Sequence, residues 1–143
     1  MVIDTSAIVA ILFGEPEADD FAKLIQSAST RLVSAVTRVE LTFVVEGRKR
    51  DEGRSDLERL FQHGNFDVVD LSAHQAAIAS EAFRHYGKGR HPAQLNIGDV
   101  FAYALAKATD QPLLFKGNDF SQTDVRSALP PAKKSVSHLP SRV

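Results

Sequence analysis

Four carboxylates in this chain fall where chemistry could use them. Asp4 directly follows the apolar pair Val2-Ile3, and Asp119 lies just past the apolar run Leu113-Leu114-Phe115. Asp99 stands three residues after Asn96 and precedes the run Val100–Ala106. Glu40 has Val36, Phe43 and Val44 at the spacings that share a helix face with it. Each has an ordinary structural explanation: acids populate turns, cap helices and favour their first turn. Glu40 strains that explanation most, because a carboxylate inside an apolar stripe is costly to bury unless paired or metal-bound. Taken together, oxygen ligands from four separate segments with no cysteine in the chain suit a hard cation, Mg²⁺ or Mn²⁺. Such clusters serve phosphoryl chemistry, in which the metal polarises the phosphate, activates a water and steadies the leaving oxygen. The acids would repel one another strongly, so the cation would also hold the pocket together.

Other chemistries lack their residues. Without cysteine there is no disulfide framework, thiolate zinc site or cysteine nucleophile. His63, His74, His85, His91 and His138 show no metal-ligand spacing. No serine has a partner set for nucleophilic catalysis, and no Walker-type glycine loop is present. From Ala82 to Gly98 there is no acid, while Arg84, Lys88 and Arg90 fall in that stretch with His85 and His91. This basic, glycine-containing segment leads into Asp99 and suits contact with an RNA backbone, or it is an ordinary solvated loop. The mixed-charge run Glu46–Arg59 reads as a solvated helical hairpin.

The elements that must position these residues follow from hydrophobic patterning. Val2-Ile3 reads as a strand, with Asp4-Thr5-Ser6 as a cap cluster and a helix through Ala7–Phe13, broken at Gly14-Glu15-Pro16. A second helix is expected from about Pro16 to Ser27, a strand at Leu32-Val33, and a helix from Val36 to about Lys49. Another helix runs through Leu57, Leu60 and Phe61 to Gly64-Asn65. Phe66–Val69 is a third strand, Ala73–Tyr86 a helix, Gly87–Pro92 a loop, Asn96–Thr109 a helix and Leu113–Phe115 a fourth strand. Val136 is a candidate for a short final strand. Strands alternating with helices predict an α/β fold, a three-layer α/β/α sandwich with a mainly parallel central sheet. In such sheets ligands bind at the carboxyl ends of the strands, where Asp4 and Asp119 fall.

With 143 residues, 43% of them hydrophobic and 24% charged, the chain is expected to form one domain over 1–143, weakly defined at 130–143. The net charge of −1 excludes a polycation that coats nucleic acid by charge alone. No apolar run approaches the roughly 20 residues of a membrane span. Asp4 occupies the place of a positive leader region, so a cytoplasmic location is expected.

The motifs Met1-Val-Ile-Asp4-Thr-Ser-Ala-Ile-Val-Ala10, Glu40, Leu95-Asn-Ile-Gly-Asp99-Val-Phe-Ala-Tyr-Ala-Leu-Ala106 and Leu113-Leu-Phe-Lys-Gly-Asn-Asp119-Phe120 resemble the PIN-domain nucleases. More narrowly, the chain resembles the VapC-type toxins of bacterial toxin–antitoxin pairs, over about Met1 to Leu129. The resemblance implies a Mg²⁺- or Mn²⁺-dependent endoribonuclease that leaves a 5′-phosphate and a 3′-hydroxyl. It matches Asp4, Glu40, Asp99 and Asp119 to the family's acidic positions, with Asp4 and Asp99 as metal ligands. Ser6 matches a hydroxyl position beside the first Asp. Asn118 stands where relatives often carry another Asp, and Asp124 is at most an auxiliary acid. The resemblance also implies a small antitoxin that blocks the active site, and a homodimer. Alternatives are a catalytically weak PIN-fold module that binds RNA or a partner, and a PIN nuclease of RNA processing without an antitoxin. A haloacid-dehalogenase-like phosphatase needs Asp-x-Asp where the chain reads Asp4-Thr5-Ser6. A receiver domain needs an adjacent acid pair there.

Overall fold

The computed structural model describes residues 1–131. Four short strands, β1 (Val2–Ile3), β2 (Leu32–Ser34), β3 (Asp67–Val69) and β4 (Leu113–Leu114), form one sheet in the order β3-β2-β1-β4. Every pairing is parallel, with Val2 opposite Leu32 on one side and Leu113 on the other. A parallel sheet needs cover on both faces, and strand alternation supplies apolar groups to each. Ile3, Val33 and Leu114 face a layer made by α1 (Thr5–Leu12), α2 (Ala18–Ser27) and α3 (Ala35–His63). Val2 and Leu113 face α4 (Ala73–Tyr86) and α5 (Ile97–Thr109), which supply Ala79, Val100, Tyr103 and Leu105. The result is the expected three-layer α/β/α sandwich.

Two helices start at the carboxyl edge because β1 and β2 run straight into capping side chains. Asp4 follows β1 and its carboxylate accepts from the Ser6 amide at 3.0 Å. Ser34 ends β2, is fully buried, and accepts from the Val36 amide at 3.2 Å. Across the other layer, Asn96 and Asp99 form a reciprocal capping box that fixes the start of α5.

The structure sharpens the sequence expectations in three places. The two helices expected on either side of Lys49 are both present within α3, separated at Arg50, where φ is 51° and ψ −131°. The turn is tight: a Cβ on Gly53 would meet the Val45 carbonyl oxygen at 2.6 Å, so the close approach requires glycine. Second, the core stripe of α3 is Thr37, Leu41 and Val45, one position on from Glu40. Phe43 is 76% exposed and Val36 and Val44 are only half-buried, so Glu40 stands beside a buried stripe and not within one. Third, the sheet edge beyond β4 is met by Ser127, which bridges Leu113 in parallel. The candidate strand at Val136 lies outside the described residues.

Candidate functional site

The carboxyl edge of β1 and β4 is the floor of the site. Asp4 is 4% exposed there, held by two hydrogen bonds to one oxygen. The Ser6 amide and the Ser6 hydroxyl reach its Oδ2 at 3.0 and 2.7 Å. Ser6 Oγ in turn accepts from the Lys116 amide at 2.9 Å, tying the loop after β4 to the first acid. Burial, opposed by these bonds and reinforced by Asp99 and Glu40, pushes the Asp4 carboxyl up to about 7.

Glu40 reaches the same place from α3. Its Oε1 accepts from the Thr5 hydroxyl. Its Oε2 lies over Gly98 so closely that a Cβ there would stand 1.8 Å from it. Asp99 is the next residue, half-buried, with Oδ2 accepting from the Asn96 amide at 3.0 Å. Burial, with Asp119 and Glu40 adding to it against that bond, pushes Asp99 up to about 6. Asp119 is exposed at the head of a 3₁₀ turn, Phe120–Gln122, and makes no capping bond. The buried Phe120 beside it pins the turn, its ring 5.2 Å from that of Phe115. Asp4, Glu40 and Asp99 therefore lie within electrostatic reach of one another, and Asp119 within reach of Asp99. Among the described residues none of the four is ion-paired to a lysine or arginine.

The donor chemistry fits a hard divalent cation: carboxylates from four segments, hydroxyl supports and no thiolate in the chain. Burial and mutual repulsion penalise ionised Asp4 and Asp99, a cost that a bound cation offsets. Among the described residues no three such groups stand as a ready-made chelating set.

Other residues singled out in the sequence sit apart. Asn118 is exposed one residue before Asp119. Asp124 is already engaged, accepting from Tyr103 Oη at 2.5 Å and Lys107 Nζ at 3.0 Å. Arg84 pairs with Glu81 at 3.2 Å, and the Arg90 guanidinium lies 5.2 Å from the Phe83 ring centre. Both border an apolar groove of about 640 Å³ between α4 and α5. Lys88 stands with Arg90 and His91 around a separate concavity. Sequence reasoning assigns no role to three contributors. Thr5 is one cap residue among several, yet its hydroxyl holds Glu40. Gly98 is a glycine in a helical first turn, a signal because glycine costs about 1 kcal/mol there against alanine. Lys116 sends its ammonium to Glu15 and Glu17 at 3.4 and 3.2 Å, away from the four acids.

Comparison with known proteins identifies the family and the fold. The PIN domain profile matches residues 1–126. The ribonuclease VapC30 of Mycobacterium tuberculosis is 47% identical over 131 residues, covering 91% of this chain and 100% of that protein. Among solved structures, Mycobacterium tuberculosis VapC20, a sarcin–ricin loop cleaving toxin, superposes with TM-score 0.73 at 14% identity. That match covers 90% of this chain and 98% of the other. A toxin–antitoxin complex from Klebsiella pneumoniae gives TM-score 0.64 at 18% identity, covering 86% and 92%. At those identities the two structures speak for the fold.

Proposed function

This chain belongs to the PIN-domain family of VapC ribonucleases, and on that footing we propose that it is a metal-dependent endoribonuclease acting as the toxin of a toxin–antitoxin pair. The observation that supports the reading is the proximity of Asp4, Glu40 and Asp99, with Asp119 near Asp99, and the raised carboxyls of Asp4 and Asp99. Asp4, Asp99 and Glu40 would hold Mg²⁺ or Mn²⁺, with Asp119 completing the acidic set, and an ion held there would supply Lewis acidity toward the scissile phosphate and lower the pKa of a water. Ser6 fixes the rotamer of Asp4, and Thr5 fixes that of Glu40. Glu40 or the exposed Asp119 would orient the attacking water, and Asn118 beside Asp119 keeps that loop less negative than a second Asp would.

The partners follow the same reasoning. RNA is the substrate, and Arg84, Lys88 and Arg90 offset the acidic pocket along its backbone. An antitoxin covers the site, a reading supported by the toxin–antitoxin complex that shares the fold. A second copy of the chain covers the apolar groove, where Ile97 is 80% exposed beside Phe83 and Phe101. The RNA it cuts is that of the cytoplasm. No helix of the described residues is long and apolar enough to cross a membrane.

The direct test is to incubate the purified chain with total RNA in Mg²⁺ and sequence the new ends. Discrete cuts bearing 5′-phosphates, abolished by chelator and by co-expressed antitoxin, are expected. RNA binding without any cut would transfer the reading to a binding module.

A further inference from the structure

Gly98 occupies the first turn of α5, one residue before Asp99. Its conformation does not demand glycine: the glycines with left-handed backbone are Gly14, Gly89 and Gly117. Helix propensity argues against glycine at such a position, since alanine loses less backbone freedom. The reason for glycine is space. A Cβ at Gly98 would stand 1.8 Å from Glu40 Oε2, 2.7 Å from Cδ and 2.9 Å from Oε1. All three nearest atoms belong to that one carboxylate, whereas a Cβ on Gly47 in α3 would meet nothing within 4 Å. On its other side the carboxylate accepts from Thr5, which is itself locked beside Asp4 in the chain. Glu40 is thus seated between a hydroxyl and a bare helical turn.

We propose that Gly98 is a positioning residue, whose missing side chain lets the Glu40 carboxylate lie over the first turn of α5 beside Asp99. The inference rests on the reading of Glu40 as part of the catalytic centre. The obstacle that a new Cβ meets is the end of a flexible side chain and not backbone, so Glu40 yields and α5 stays in place. A methyl group at residue 98 therefore removes Glu40 from the centre while leaving its chemistry intact.

A double-mutant cycle of Gly98→Ala and Glu40→Ala tests this on the full chain. Two quantities are read for each protein: Mn²⁺ affinity, by electron paramagnetic resonance of the free ion, and the rate of RNA cleavage. Circular dichroism checks the fold. Gly98→Ala is expected to lower Mn²⁺ affinity and cleavage rate about tenfold or more. In the Glu40→Ala background the same change should alter Mn²⁺ affinity by less than about twofold, because the carboxylate nearest to it is gone. Wild-type behaviour of Gly98→Ala would overturn the proposal. Equal losses in both backgrounds, with Glu40→Ala itself impaired, would overturn it alone, since Gly98 would then act through the helix. If Glu40→Ala binds Mn²⁺ and cuts RNA like wild type, the role of Glu40 falls, and this proposal with it. Should Gly98→Ala unfold, recovery of the fold in the double variant supports the overlap with Glu40. An unfolded double variant overturns it.

Discussion

Asp4 is buried, yet metal binding needs it ionised. Its carboxyl, ordinarily at 3.8, rises to about 7, and that of Asp99 to about 6. A raised carboxyl favours the protonated folded state. Its contribution to stability is fully present below the ordinary value and is lost as pH climbs through the raised one. Metal-free protein should therefore lose stability from about pH 4 to about pH 7. Asp4→Asn keeps the cap and the bond from Ser6 while removing the charge. At pH 8 without metal it should be more stable than wild type, by on the order of a few kcal/mol, with the gap closing near pH 4. Urea titrations at the two pH values check this. Mg²⁺ should stabilise wild type at pH 8 and leave Asp4→Asn unmoved.

The strands and helices that carry the site are readable because each follows from a local rule. Asp4 and Asn96 announce helix starts, and the apolar pairs Val2-Ile3 and Leu113-Leu114 mark strands too short for alternation to show. Two features have no such local signature. The break in α3 is expected just after Lys49, but the backbone at its centre is not, since an arginine gives no turn signal: Arg50 holds φ 51° and ψ −131°, a conformation that suits glycine. The seating of Glu40 depends on Thr5 and Gly98, distant in sequence from it, and no local pattern encodes that meeting. The apolar neighbours that make Glu40 conspicuous in the sequence are partly exposed, so its seat is set by Thr5 and Gly98 and not by that stripe. Two stability changes follow from the kink. Arg50→Gly should raise stability by about 1 kcal/mol by relieving the backbone. Gly53→Ala should lower it by roughly 2 kcal/mol, because its new methyl meets the Val45 carbonyl. Urea midpoints at constant m-value report both.

Across the whole molecule the net charge of −1 conceals a division of charge. Four acids share one edge of the sheet, while Lys88 and Arg90 stand exposed on the loop that leads to Asp99. Under the proposed function, a cation would offset the acids before a phosphate approached, and RNA binding would depend on salt. Replacing Lys88 and Arg90 by Ala should weaken RNA binding and flatten its dependence on log salt by about one unit for each phosphate these two side chains neutralise. An unchanged slope would remove these residues from the RNA path.

Whether the acids at the sheet edge form a metal-dependent nuclease centre is decided by the Asp4→Asn/Asp99→Asn double variant. Its cleavage of RNA in Mg²⁺ is measured beside that of wild type, with circular dichroism confirming the fold. A folded protein whose cleavage falls to the level of wild type in chelator is expected. A folded double variant that cuts RNA at the wild-type rate would contradict the assignment of these acids.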